Sequence, residues 1–286
     1  MSEIGIAAVA ASFGRDVEAD LVKIERILEG ARAAGADLVV FPEAALGGYL
    51  ADMRSEDGGE AGLPPALDPK GPELERLALL AGHTVVCAGF CEAGEDGRYN
   101  SVACVTGDGL LGLHRKVHLP LGEGGHTCTG TELGAFDTPV GRMGMLICYD
   151  KSFPEAAREL ALNGVEVIAC SSAWPASATN AAPRIEDDRQ TGLFNLWDQA
   201  RAAENQVVVA SANQVGPFGP LRFLGQAKVV GPGGELLATT GPSEGIAHAR
   251  VDPRAGSARA RRSLDYLRDR RPSAYPLGAR DLVGAR

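Results

Sequence analysis

The 286-residue sequence has no apolar run approaching the roughly 18–20 residues that cross a bilayer, so no membrane span is predicted. It lacks an excess of basic charge. Its 28 Lys and Arg stand against 37 Asp and Glu, a net charge of −9, which disfavours nucleic acid and anionic membranes as partners because both reward cationic faces. The single basic cluster, RARRSLDYLRDRR at 259–271, is interrupted by acids and apolar residues and reads as a solvated or docking segment. No basic leader precedes IGIAAVA, which predicts no secretion signal. The six cysteines, at 87, 91, 104, 128, 148 and 170, are therefore expected to be reduced thiols in a cytoplasmic protein. None forms a Cys-x-x-Cys pair, so no structural zinc site is expected. His114 and His118 have a helical metal-ligand spacing, but LLGLHRKVHL alternates like a strand, which would separate the rings. A dinucleotide fingerprint after the first strand is missing too: AAVAASFGRD offers no Gly-x-Gly turn for a pyrophosphate.

What the chain has is a regular alternation of strand and helix patterns. IGIAAVA (4–10) reads as a strand. Between Asp16 and Ala34 the apolar residues Val17, Leu21, Ile24, Leu28 and Ala31 share one helical face, with Gly35 as the stop. DLVVF (37–41), TVVCAGF, RYNSVACVT, LLGLHRKVHL, VEVIAC, QVVVASA (206–212), QAKVVG, ELLATT and GIAHARV read as further strands. PELERLALLAG, FPEAARELALNG (153–164) and Thr191–Glu204 read as helices, and residues 51–71 as a loop. Turn signals at Gly107-Asp108-Gly109 and Pro139–Gly141 add antiparallel pairs to the parallel βαβ units. The pattern predicts one α/β domain over 1–286, built as two mixed sheets layered between helices.

Three ionisable or nucleophilic residues stand directly beyond strands: Glu43 in LVVFPEAALGGY, Lys116 in LHRKVHLP and Cys148 in MLICYD. Sites in α/β proteins gather where strands give way to loops. Singly, each has a plain reading as a helix-start acid, a solvated lysine and a small core residue. Together and in this order, FPE…GY, RKVHL and GMLICYDKSFPE resemble the three signature segments of the nitrilase superfamily, the carbon–nitrogen hydrolases. RYNSVACVTGDGLLGLHRK, SSAWP, RAAENQVVVASANQVG, FLGQAKVVGPGGELLA and YLRDRRPSAY resemble its supporting segments, so the likeness runs over roughly residues 5 to 275.

The resemblance implies a four-layer αββα sandwich and a catalytic triad of Glu43, Lys116 and Cys148. Glu123, seven residues past the lysine, stands where many members carry a second active-site glutamate. It implies a thiol nucleophile, Glu43 as general base and acid, and an oxyanion held by Lys116 and the backbone N–H of Tyr149. No metal or organic cofactor is expected. CYDKSFPE is similar to amidase and ω-amidase versions of the motif, which points to a primary aliphatic amide or an ω-amide as substrate. An N-carbamoyl amine or amino-acid amidohydrolase, and an inactive binding protein of the same fold, are the alternatives. Lys151 occupies the place of a carboxylate-binding arginine in carbamoylases, and Tyr49, Tyr149 and Trp174 are candidates for the pocket wall. The family also implies at least a homodimer, with a C-terminal extension (about 255–286) docking on the partner.

Overall fold

The computed structural model describes residues 3–59 and 61–275. Its first half comprises β1 (Ile4–Ala10), α1 (Val17–Ala33), β2 (Leu38–Val40), β3 (Ala66–Leu67), α2 (Pro72–Ala81), β4 (Val85–Gly94), β5 (Gly97–Thr106) and β6 (Gly109–Arg115). There follow β7 (Ala135–Thr138), β8 (Gly141–Ile147), α3 (Pro154–Leu162), β9 (Val167–Ser172), α4 (Arg189–Asn205) and β10 (Val208–Asn213). The remainder contains β11 (Val215–Phe218), β12 (Leu221–Leu224), β13 (Lys228–Val230), β14 (Leu236–Thr239), β15 (Gly245–Val251) and α5 (Pro253–Ala260).

Local chemistry accounts for these boundaries. Asp16 caps α1 by accepting the Ala19 N–H, and Leu21, Ile24, Leu28 and Ala31 are its buried stripe. The chain then turns through Gly35 at φ +84°, a conformation that favours glycine. Pro72 and Pro154 open α2 and α3, where a missing N–H costs no helical bond.

Thirteen strands hydrogen-bond into one mixed sheet, in the main order β6-β5-β4-β2-β1-β10-β9-β8-β7, and β11–β12 form a separate hairpin. The sheet folds back on itself at its centre. There β1 and β10 are paired in parallel at a single position, Ala10 opposite Asn213. Strand alternation then sorts side chains into layers. Ile6, Ala8, Leu38, Val40, Val85 and Cys87 from one half meet Met143, Met145, Ile147, Val167, Ala169 and Val208 from the other in the central core. The opposite faces carry Val9, Val39 and Val86 against α1 and α2, and Leu146, Ile168 and Val209 against α3 and α4. The result is the αββα sandwich, with the two sheet layers continuous through one junction.

The β11–β12 hairpin was not anticipated. Its segment VGPFGPLRFL carries prolines at 217 and 220, residues that argue against a central strand, and the structure keeps them in a two-stranded ribbon apart from the main sheet. After α5 the described part of the C-terminal segment lies on its own chain. Gln206 donates to the carbonyls of Ala260 and Leu264 and accepts from the Tyr266 N–H. Residues 276–286 of the expected docking extension lie outside the described residues. No helix among the described residues is long and apolar enough to cross a membrane.

Candidate active site

Strands β2, β4, β8, β9 and β10 run parallel within their halves, and β6 returns to the direction of β4 through two antiparallel steps. Glu43, Lys116 and Cys148 therefore all emerge at one rim of the sandwich. Cys148 comes from one sheet half, and Glu43 and Lys116 from the other. The halves are tied where they meet: the Glu43 N–H donates to the Ser172 carbonyl at 3.3 Å, and Ser171 Oγ to the Phe41 carbonyl at 2.8 Å. Gln214 donates to the carbonyls of Glu43 and Ala44. Behind them Gly89 is required by space, because a Cβ there would stand 2.6 Å from the Glu43 Cα.

Four polar side chains close around one ammonium. Lys116 Nζ donates to Glu43 Oε1 and to Glu123 Oε2, each at 2.7 Å, and all three side chains are fully buried. Asn100 on β5 spans the same two carboxylates with its single amide nitrogen, 2.6 Å from Glu43 Oε1 and 2.6 Å from Glu123 Oε1. Tyr49 donates its hydroxyl to Glu123 Oε2 at 3.1 Å, and the Ala173 N–H donates to Glu43 Oε2 at 2.6 Å. Burial alone would strip the Lys116 proton, but Glu123 and Glu43 outweigh it and hold the ammonium well above the ordinary lysine range. Burial pushes the Glu123 carboxyl up, with Lys116 opposing and Glu43 adding to the shift. The charge at Lys116 is thus fixed, while the excess negative charge of two carboxylates on one cation is shared.

Cys148 directly follows β8 in a left-handed conformation, φ +49°, which is unusual for a residue other than glycine. It opens a 3-10 turn over Cys148–Ser152, so the Tyr149 N–H heads a turn whose first donors have no acceptor within it. Burial raises the thiol well above its ordinary pKa, the Glu43 carboxylate raises it further, and Lys116 and the Ala173 N–H pull the other way. The balance favours the neutral thiol.

The turn is latched to the lysine-bearing segment through Asp150. This buried carboxylate accepts the N–H groups of Ile147 (3.0 Å) and His118 (2.9 Å). It also lies 2.8 Å from His118 Nδ1 and 3.1 Å from His114 Nε2. Burial would raise its pKa, but the bonds to His114 and His118 hold it well below the carboxylate range. The strand expected to separate those imidazoles ends at Arg115. The chain bends there, and both rings converge on one acid. No group of three or more His, Cys, Asp and Glu among the described residues is arranged to hold a metal ion.

Outside Cys148 lies an open pocket of about 300 Å³, walled by Tyr49, Tyr149, Trp174, Met53, Leu121 and Gln190 among others. The rim loops touch closely enough that Gly122 leaves no room for a Cβ against the Met53 carbonyl. Lys151 is not among the lining residues. The expectation that it grips a substrate carboxylate is corrected: its side chain turns into the protein, where Nζ meets Asp198 Oδ1 at 2.8 Å over the Phe194 ring. Asp198 holds Lys228 through its other oxygen at 2.8 Å. The residues that sequence reasoning missed are Asn100, Asp150, Asp198 and Gln190. Asn100 had a signal, an amide inside an otherwise apolar strand, whereas Asp198 sits in a helix with no outward sign that two lysines would claim it.

The carbon-nitrogen hydrolase family model matches residues 5–260, and the chain belongs to this family. A probable nitrilase of Schizosaccharomyces pombe is 31% identical over 246 residues, covering 84% of this chain and 84% of the relative. The N-carbamoylputrescine amidase of Arabidopsis thaliana is 28% identical, covering 96% and 94%. Among solved structures, a carbon-nitrogen hydrolase of Helicobacter pylori superposes with a TM-score of 0.81 at 25% identity, covering 96% of this chain and 97% of that one.

Proposed function

We propose that the protein is a thiol-dependent amidase that hydrolyses small, uncharged primary amides. The observation that carries this reading is the Lys116 ammonium between two buried carboxylates, one of which also bears on the Cys148 thiol. Glu43 takes the Sγ proton as sulfur adds to the amide carbonyl carbon. The carbonyl oxygen becomes an oxyanion, stabilised by Lys116 and the Tyr149 N–H; one such donor is typically worth about 3–4 kcal/mol of barrier. Glu43 passes the proton to the amide nitrogen, the C–N bond breaks, and ammonia leaves a thioester on Cys148. Water then adds to the thioester carbon with Glu43 again accepting the proton. The C–S bond breaks, the thiol is restored and the carboxylic acid departs. Glu123, tied to Lys116, Asn100 and Tyr49, keeps the ammonium aimed.

The preference for uncharged substrates rests on the pocket. Apart from the catalytic groups behind the thiol, none of its described lining residues carries a formal charge. A substrate carboxylate would enter without a cation, and the ammonium of a carbamoylated diamine without an anion. The test is ammonia release from alkanamides, ω-amides, N-carbamoyl amines and amino acids, and nitriles, with Cys148→Ala as the blank. Neutral amides are expected to give the highest kcat/KM, abolished in the blank. Turnover that survives Cys148→Ala, or that requires a charged acyl group, refutes the reading.

A further inference from the structure

Gln190 sits in the first turn of α4, on the pocket wall. Its backbone is held because Asp188, the α4 cap, accepts the Gln190 N–H at 2.9 Å. The same carboxylate gathers the Ser177 N–H and hydroxyl and the Ala182 N–H. Its side chain is held because Trp174 Nε1 lies 3.0 Å from Gln190 Oε1. An indole nitrogen can only donate. The group facing Trp174 must therefore be the amide oxygen, which fixes the orientation of the whole amide. Trp174 is itself immobilised, its backbone N–H donating to Asn213 Oδ1 at 2.7 Å and its ring packed on Phe194 and Trp197.

The remaining half of the amide, Nε2 with its two hydrogens, has no hydrogen-bond partner among the described residues. The other polar side chains of the wall are committed or ambivalent. The Ser177 hydroxyl is given to Asp188 and the Tyr49 hydroxyl to Glu123. The Tyr149 hydroxyl can donate or accept and imposes no sign. An oriented donor on a rigid mount, within a pocket whose apolar surfaces include Trp174, Pro175, Ala176, Met53 and Leu121, is a means of selecting an acceptor.

Resting on the amidase reading above, we propose that Gln190 is a specificity-determining residue. It selects neutral amides whose acyl chain carries a second oxygen acceptor, such as a ketone, an ester or a second carboxamide, over plain alkyl amides of the same length. A neutral donor suits an uncharged acceptor, in keeping with the absence of a lining cation among the described residues.

The experiment measures kcat/KM for a series of alkanamides of increasing length, each paired with the analogue in which one chain methylene is replaced by a carbonyl. At the length that fits, the wild type is expected to favour the carbonyl member by about 2- to 10-fold, the net worth of one hydrogen bond. Gln190→Glu can still accept from Trp174 but presents an anion in place of the donor. It is expected to bring the ratio to one or below, and Gln190→Met to bring it near one. Because each ratio is taken on a single enzyme preparation, a smaller folded fraction cancels. A flat wild-type ratio at every length, or a Gln190→Glu ratio equal to that of wild type, overturns the proposal and leaves Cys148-dependent amide hydrolysis standing. Hydrolysis of neither member of any pair removes both readings.

Discussion

Cys148 is held in a backbone conformation that costs a non-glycine residue about 1–3 kcal/mol, and it persists because the surroundings determine it. On one side Asp150 anchors the turn to both histidines, and on the other Arg201 donates to the carbonyls of Lys151 and Ser152. Burial and Glu43 both oppose charge on the sulfur so placed and raise its pKa. On the proposed mechanism Glu43 therefore has two effects of opposite sign: its charge disfavours the thiolate at rest, and it accepts the proton when substrate arrives. Glu43→Gln is expected to lower kcat for amides by about a hundred- to ten-thousand-fold. It should also lower the pH at which Cys148 reacts with a neutral alkylating agent, because the neighbouring anion is gone. An alkylation profile that moves to higher pH would contradict this account. At this scale the sequence was informative for the meeting of Glu43, Lys116 and Cys148, each of which stands just beyond a strand. For Asn100 it offered an amide within a strand but not its partners, which lie 57 and 23 residues away and share nothing local with it.

Helix α4 is the element that connects pocket and nucleophile. Gln190, Phe194, Asp198 and Arg201 follow one another along its inward side, and through them the helix reaches Trp174, Lys151, Lys228 and the carbonyls of the 3-10 turn. Lys151 was misjudged from sequence because its position after the cysteine suggested the substrate, while its partner is 47 residues further on. Two ammonium groups on one carboxylate leave net positive charge in a dry site. Burial lowers the Lys228 pKa to about 8, Asp198 resisting and Lys151 assisting; Cys170, which also faces it, is pushed up to about 11 and stays neutral. An unfolded lysine keeps its proton up to about pH 10.4. Between about 8 and that value the unfolded chain binds more protons than the folded one, so stability should rise with pH. Lys228→Met leaves the Lys151–Asp198 pair electrically balanced and deletes this gain. The expected result is that the Tm of wild type rises relative to that of Lys228→Met between about pH 7 and about pH 9.5. A Tm difference that stays constant across this range would show that Lys228 is not the group releasing the proton.

For the molecule as a whole, binary pattern was enough to anticipate layers. Strands such as IGIAAVA, apolar at every position, must be covered on both faces, and that requirement produces sheet on sheet with helices outside. The pattern could not show that one hydrogen-bonded sheet supplies both layers, because that depends on a single pairing between residues 10 and 213. We propose a homodimer or larger assembly in solution. The described C-terminal segment adheres to Gln206 of its own chain yet leaves the side chains of Leu264, Tyr266 and Tyr275 exposed, as a docking surface for a second copy would require. Light scattering is expected to give at least twice the chain mass, reduced by Leu264→Asp with Tyr266→Asp. A monomeric wild type would remove the proposal.

The fold at Ala10 and Asn213 also governs when the enzyme becomes competent. One leaf of the sandwich brings Glu43 and Lys116, and the other brings Cys148. On the mechanism proposed above, hydrolytic power therefore belongs to the closed book and not to its pages. A chain that has formed both leaves without shutting them would hold a thiol relieved of the burial and of the Glu43 charge that oppose its ionisation, exposed to alkylation and without its acid–base partner.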